Sequence, residues 1–382
     1  MTRVLHLITT LEAGGAQTML ANLVCGARAR SALEHIVVEL TTAGDCDQRL
    51  RQAGIPLYSL GMTRGRMSLS AMARFARLLR RERPSLVQTW LYHADLIGLL
   101  TLPVLRVPVV WNLRCSWHVG LNGWAPRACA RLSGLPVAVV VNSHAGERVH
   151  RELGYRPRRW CLIGNGFDLE LFKPDAQARA EVRSELGLGP DTVLLGIVGR
   201  WDANKDYATF VAAAGLLSRL RGDVRFVMVG EGLTPANTQL AGLLAAANLA
   251  DRLHLMGRRT DISRITAALD IAACTSIGEG FPNVVGEAMA AGVPCVTTDV
   301  GDAAILVGDP RLVVPTRAPA TLAAAWQRLL SMEPTALRAL GMAGRARISE
   351  HHSLSRVIGQ YESLYQELAR PARSGRAAVR RA

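Results

Sequence analysis

Glu279-Gly-Phe-Pro-Asn-Val-Val-Gly-Glu287 places two carboxylates eight positions apart across a loop-to-helix turn. Gly280 and Pro282 mark the loop, and the apolar run Val284 to Ala291 reads as a helix. Asn283 stands where a helix cap belongs, and Pro282 makes the turn into it abrupt. The first turn of such a helix offers free backbone N–H groups and the positive end of a dipole, a ready site for a phosphate. Glu287, about one turn further in, is placed to accept two hydrogen bonds from a vicinal diol such as a ribose. Glu279 is left to face whatever hangs off the phosphate. Taken alone, the pair also fits a surface loop ahead of a core helix with one ion-paired Glu. The surrounding chain separates the two readings.

On both sides of this turn the second half alternates strands and helices. Thr192 to Val198, Val224 to Val229, Leu253 to Leu255, Ile271 to Cys274 and Cys295 to Thr298 read as strands. Tyr207 to Arg219 and Pro235 to Ala247 read as helices between them. The first half has the same rhythm, with strands at Arg3 to Thr9, His35 to Thr41, Leu86 to Trp90, Val107 to Leu113 and Val137 to Asn142. Its helices are Gln17 to Ala29 and Leu69 to Arg83, the latter with Met72, Phe75, Leu78 and Leu79 at helical spacing. This pattern predicts an α/β protein of two Rossmann-like, doubly wound parallel-sheet domains facing a cleft, followed by C-terminal helices. A length of 382 residues suits two domains. The expected division is 1–170 for the first domain, 171–190 for a polar linker, and 191–350 for the second domain. A helix at 351–369 is expected to return to the first domain, and the basic tail 370–382 to be disordered.

A net charge of +14 points to anionic partners. The charge is spread along the chain and aromatic residues are 5%, so nucleic acid is not expected. Seven cysteines without a CxxC pair read as core residues of a reducing, cytoplasmic compartment. The segment Leu96 to Val110, broken by Pro103, Arg106 and Pro108, is too short to span a bilayer, so any membrane contact is peripheral. Arg74, Arg77, Arg80, Arg81 and Arg83 make one helix a candidate for an anionic membrane surface, or equally a solvated face. Of 45 basic residues only Lys173 and Lys205 are lysines, which marks each as a candidate point charge.

Further stretches carry chemistry. Gly14-Gly15-Ala16-Gln17 follows the first strand, where glycine lets backbone approach a ligand. Arg200 and Lys205, in Val198-Gly-Arg-Trp-Asp-Ala-Asn-Lys-Asp206, flank a loop at a strand's carboxyl end, where ligands bind in open α/β sheets. Together they suit a diphosphate; the alternative is two solvated cations. His93, in Gln88-Thr-Trp-Leu-Tyr-His-Ala-Asp95, lies at the same kind of edge, as do Arg114, Cys115 and His118. Asp45-Cys-Asp47 has the spacing of a metal clamp but no acidic partner nearby in sequence, so it reads as surface.

These motifs in combination resemble the family 4 retaining glycosyltransferases of GT-B fold. The paired Glu279 and Glu287 with Gly-Phe-Pro-Asn between look like that family's donor-site signature. Val198-Gly-Arg200 with Lys205-Asp206 resembles its diphosphate motif. Gly164-Asn-Gly-Phe-Asp-Leu-Glu-Leu-Phe172 resembles its end-of-first-domain motif, and Gly14-Gly15 its first glycine loop. Gly292-Val-Pro-Cys-Val-Thr-Thr-Asp-Val-Gly301 extends the match. The stretch Gln88 to Asp95, with Trp111 to Arg114, is similar to a polysaccharide-assembly subgroup, which often has His where Cys115 stands.

The resemblance implies that Glu287 binds the nucleotide ribose and that Arg200 and Lys205 hold the diphosphate. Glu279, with backbone at Gly280, Phe281 and Pro282, would contact the donor sugar, and N–H groups near Asn283 and Val284 the distal phosphate. His93 and the loop Arg114 to His118 would line the acceptor side. The donor would be a UDP- or GDP-sugar, with no metal or other cofactor required. The acceptor would be a glycan or a lipid-linked glycan at the inner face of the cell membrane. Two alternatives stay open: an epimerase or phosphorylase on the same fold, and a nucleotide- or polyanion-binding protein without turnover. A lysine-bound pyridoxal phosphate, as a phosphorylase would need, has little room in a chain with two lysines.

Overall fold

Among the described residues thirteen strands, all paired in parallel, make two sheets. The computed structural model describes residues 2–12, 14–28, 33–42, 44, 46–63, 68–105, 107–114 and 123–369. Cys115, His118, Asp45, Arg106 and the tail 370–382 lie outside these residues.

The first sheet contains β1 (Arg3–Ile8), β2 (Glu34–Glu39), β3 (Leu57–Ser59), β4 (Leu86–Trp90), β5 (Val109–Leu113), β6 (Ala138–Val141) and β7 (Trp160–Leu162). Their spatial order is β3-β2-β1-β4-β5-β6-β7. The second contains β8 (Val193–Val198), β9 (Val224–Val229), β10 (Leu253–Leu255), β11 (Ile271–Cys274), β12 (Cys295–Thr298) and β13 (Val313–Val314), ordered β10-β9-β8-β11-β12-β13. Every residue of β4, β5 and β6 is buried, as expected of strands covered on both faces by helices. Alternation divides β1 between two cores: Val4 and Ile8 enter one, Leu5 and Leu7 the other.

Both sheets grow outward in both directions from their first strand. The strand order therefore reverses between β1 and β4 in the first sheet, and between β8 and β11 in the second. At such a reversal the two adjoining loops diverge and leave a crevice at the carboxyl edge. This topology makes the loops after β1, β4, β8 and β11 the natural ligand edges.

The segment 171–190, expected as a linker, contains a helix at Ala176–Glu185. Asp175 caps it by accepting the Ala178 N–H at 2.9 Å. Arg179 and Arg183 reach Asp270 at 2.5 and 3.3 Å and dock the helix on the second domain. Polar anchors in place of an apolar stripe explain why it read as linker.

The C-terminal helix Leu354–Ala369 inserts Tyr361 and Tyr365 into the first-domain core. Asn112 donates to the Tyr361 hydroxyl at 3.2 Å, and the Tyr365 hydroxyl donates to Gln88 Oε1. The chain thus passes between domains near Phe167 and again near Ser353. These passages lie side by side: Phe167 N–H donates to His352 O, and Leu354 N–H to Phe167 O, both at 2.8 Å.

Candidate active site

The reversal between β8 and β11 brings Lys205 and Glu279 together. The loop after β8 ends in a single turn, Ala203–Lys205, and Asp206 then adopts a left-handed conformation (φ 47°). From there its carboxylate caps the helix Tyr207–Leu220, accepting the Thr209 N–H at 3.2 Å. That sharp turn aims Lys205 back at the loop after β11. Lys205 Nζ lies 2.6 Å from Glu279 Oε1, and the Ser276 hydroxyl donates to the same oxygen at 2.7 Å. The two loops are fastened along their length. Thr275 Oγ1 donates to Lys205 O at 2.7 Å, Ile277 N–H to Asn204 O at 2.8 Å, and Asn204 Nδ2 to Gly278 O. Burial is the largest single influence and works against the Lys205 ammonium, but the Glu279 charge and hydrogen bond, joined by neighbouring groups such as Asp202, together outweigh it and raise its pKa, so Lys205 is a fixed cation at neutral pH.

Arg200 takes a different place. It is largely exposed and pairs with Asp202 at 3.3 Å, so it sits at the loop's rim and not beside Lys205. The second lysine, Lys173, is an exposed partner of Glu170 at 3.8 Å.

The helix Asn283–Ala290 starts one residue earlier than a cap at Asn283 would require. Pro282 occupies the N-cap position, and no side chain caps the helix. Asn283 is its first residue, and its Oδ1 accepts from Asn165 Nδ2 of the first domain at 2.5 Å. The Asn283 expectation is thus corrected: its amide is taken by a partner 118 positions away. With no cap, the N–H groups of Asn283 and Val284 have no hydrogen-bond partner among the described residues. The dipole end and two free donors face the opening between domains.

Glu287, one turn in, is half-buried beside Gly196, Val198, Thr266 and Val284. Its carboxylate has no hydrogen-bond partner among the described residues. Burial raises it to about 7, and Lys205 pulls in the opposite direction. A carboxyl raised on folding holds its proton longer in the folded state. Stability is therefore lost as pH rises from the usual value of 4.5 through about 7. Glu287→Gln is expected to melt above the native protein at pH 8, with the gap closing by pH 4. Thermal melts across that range check it, and a gap that grows toward acid would contradict it.

On the first domain, Gly15 opens the helix Gly15–Arg28, and a Cβ added there would stand 3.4 Å from Asn283 Nδ2. The glycine loop after β1 therefore faces the start of the second-domain helix. His93 follows β4 through Leu91, a non-glycine residue at φ 74°. That strained turn leaves His93 exposed at the rim, edge-on to Trp124 at 5.6 Å. Partial burial lowers its pKa. The rest of its stretch is internal: Asp95 is fully buried and accepts from Thr89 Oγ1 at 2.5 Å. Arg114 lies over the Trp90 ring at 4.9 Å and donates to Asn112, Asn165 and Tyr361. It thereby supports Asn165, which holds Asn283.

Phe167, from the Gly164-Asn-Gly-Phe segment, lies on Gly286 and stacks with Phe281 at 6.2 Å. A Cβ on Gly286 would fall 2.0 Å from the Phe167 ring, so glycine is what admits the ring between the domains. The sequence reading missed Ser276 and Asn165 as partners of Glu279 and Asn283. It also missed Asp302, whose only local signal is its place after Gly301 at a strand's end. Among the described residues, no three His, Cys, Asp or Glu side chains cluster as a metal site.

Two family models cover most of this architecture. Residues 13–171 match Glycosyltransferase Family 4, and residues 192–332 match Glycosyl transferases group 1. The chain is a glycosyltransferase. A polyanion binder without turnover is thereby set aside. The transferase is 28% identical to the D-inositol 3-phosphate glycosyltransferase of Segniliparus rotundus, over 88% of this chain and 81% of that protein. It is also 28% identical to the UDP-Gal:alpha-D-GlcNAc-diphosphoundecaprenol alpha-1,3-galactosyltransferase of Escherichia coli, over 59% of this chain and 60% of that one. Its fold is GT-B. The structure of Anabaena HepE in complex with UDP-glucose superposes with a TM-score of 0.83 at 22% identity, over 96% of this chain and 100% of that one. Sucrose-phosphate synthase from Thermosynechococcus elongatus superposes at 0.78, also at 22% identity, over 96% of this chain and 99% of its own.

Proposed function

We propose that the transferase moves a hexose-type sugar from a UDP- or GDP-sugar to a glycan or lipid-linked acceptor in cell-surface polysaccharide assembly, with retention at the anomeric carbon. The observation that carries this reading is the convergence of Lys205, Glu279, the uncapped start of Asn283–Ala290 and the unpartnered Glu287 at one topological reversal. Glu287 accepts the ribose hydroxyls. The amides of Asn283 and Val284 take the distal phosphate, and Lys205 exchanges Glu279 for the diphosphate. Arg200, on the same loop, swings in from the rim. Glu279, with the backbone of Gly280, Phe281 and Pro282, faces the sugar. Gly15 lets the first domain approach the phosphates, and His93 stands on the acceptor side.

The bond from the anomeric carbon to phosphate oxygen breaks with positive charge developing on the sugar. Lys205 and the helix end meet the negative charge that accumulates on the leaving diphosphate, preorganised and partly desolvated. The acceptor oxygen attacks from the face being vacated, and its proton passes to the departing phosphate oxygen. Glu279 is not a covalent nucleophile in this scheme. The names of two similar proteins support the substrate class: one transfers to a diphosphoundecaprenol-linked sugar, and one was crystallised with UDP-glucose.

A thermal-shift screen against UDP- and GDP-sugars is expected to raise the melting temperature with one nucleotide class. Proton NMR of the product should then show the donor's anomeric configuration, and turnover should persist in excess chelator. An inverted product would overturn the retaining step. Membrane contact has its own support. On the helix Leu69–Glu82 and its cap Arg83, the five arginines are exposed and Leu69 is 87% exposed. No helix among the described residues is long and apolar enough to cross a bilayer. Flotation with anionic but not neutral vesicles is the expected outcome.

A further inference from the structure

Asp302 stands at the N-cap position of a short helix, Ala303–Val307, yet its side chain makes no bond to that helix. Instead it crosses the cleft. Oδ2 accepts the His144 N–H at 2.7 Å and Oδ1 the Ala145 N–H at 2.9 Å. Both amides belong to the first turn of the first-domain helix His144–Glu152, whose next free amide, Gly146, is capped by Ser143 at 2.9 Å. Asp302 is 3% exposed. A buried carboxylate that takes two amides at the positive end of a helix forms a directional, charge-assisted contact.

The backbone of the same residue holds the other side. Asp302 N–H donates to Gly280 O at 3.0 Å, within the loop that carries Glu279. The Phe167 contact between domains sits at the chain crossing itself. The Asp302 contact lies away from both crossings and ties a first-domain helix directly to the residue beside Glu279.

We infer that Asp302 is a positioning residue that couples closure of the two domains to the setting of the Glu279–Gly280 loop. This rests on the reading in which that loop faces the donor sugar. With the carboxylate seated on the first-domain helix, the loop stands where Glu279 meets Lys205. With the contact broken, the domains part and the loop loses one of its supports.

Two variants attack the contact from opposite domains. Asp302→Asn keeps the side chain's shape but leaves one acceptor oxygen for two amides. His144→Pro removes a donated N–H at the first helical position, where proline is at home, and Ser143 before it is already extended (φ −154°, ψ 152°). Asp302→Asn is expected to lower kcat about tenfold or more, with the Kd for UDP and GDP alone changed less than about twofold. His144→Pro should lower kcat about threefold. The double variant should be no slower than Asp302→Asn, because both remove one interaction. The inference is overturned by a kcat within about twofold of normal in Asp302→Asn. Losses that multiply in the double variant, or a fall in kcat that only tracks the folded fraction by circular dichroism, overturn it too. Glu279→Ala assayed in parallel separates the two readings. If that variant turns over normally, the donor-loop reading fails. If it is inactive while Asp302→Asn is normal, only the coupling fails.

Discussion

Lys205→Ala is expected to lower kcat at saturating donor by about 10²–10³-fold, the size found when one preorganised counter-charge is removed from a transition state. In the resting enzyme the ammonium is held against Glu279 at 2.6 Å, on a side chain 25% exposed. Arg200, on the same loop, is engaged with Asp202 at the rim. Lys205→Arg is not expected to restore the rate, because a planar guanidinium does not fit a space shaped for a compact ammonium. Removing the lysine leaves Glu279 part-buried with Ser276 still donating at 2.7 Å, so the melting temperature should fall while the fold persists. Glu279→Ala is expected to slow turnover comparably, since it orients the lysine and, in the function proposed above, faces the sugar. Steady-state kinetics with circular dichroism on the same samples decide the matter. Near-normal kcat in either folded variant contradicts the site.

Gly301→Ala should be nearly as damaging without touching a charged group. Gly301 has φ +59°, and a Cβ there would lie 2.3 Å from Glu279 O and 2.6 Å from Gly280 O. Backbone carbonyls cannot step aside as a flexible side chain can, so the loop must move. The left-handed conformation itself costs alanine about 1–2 kcal/mol. A shift of about 1 Å in a reacting group costs on the order of 10²-fold in rate, and a kcat loss of that size is expected. Gly359→Ala is the control, since nothing lies within 4 Å of its added Cβ, on a helix. It should leave kcat unchanged and raise the melting temperature slightly. Gly301→Ala with normal turnover would show that the Glu279 loop tolerates displacement.

The fold was largely legible because its parallel strands are buried on both faces. Ile271–Cys274 is apolar throughout, and Val224–Val229 is broken only by the part-buried Arg225, so each stands out as a short buried run between loops. That Lys205 and Glu279 both stand in loops at strand ends was legible, but their pairing was not, since it depends on a strand order that only the structure shows. What sequence alone could not show were side chains whose partners lie in the other domain. Asn283 looked like a local cap because only its neighbours were visible, and Asn165 proved to be its partner. Asp302 was hidden for the same reason. The helix Ala176–Glu185 escaped notice because Arg179 and Arg183 anchor it through Asp270, so its apolar periodicity is weak. Arg200 shows the converse: a motif position is marked in the sequence, while its rim placement depends on Asp202.

The side-by-side passage of the chain at Phe167 and Ser353 constrains how the enzyme can move. A single covalent thread would let one half swivel freely against the other, like a ball in a socket. Two threads bonded along their flanks behave as a strap hinge, which bends about one axis and resists torsion. Each opening and shutting therefore follows nearly the same arc, and the facing edges of the two domains meet in one register at every cycle.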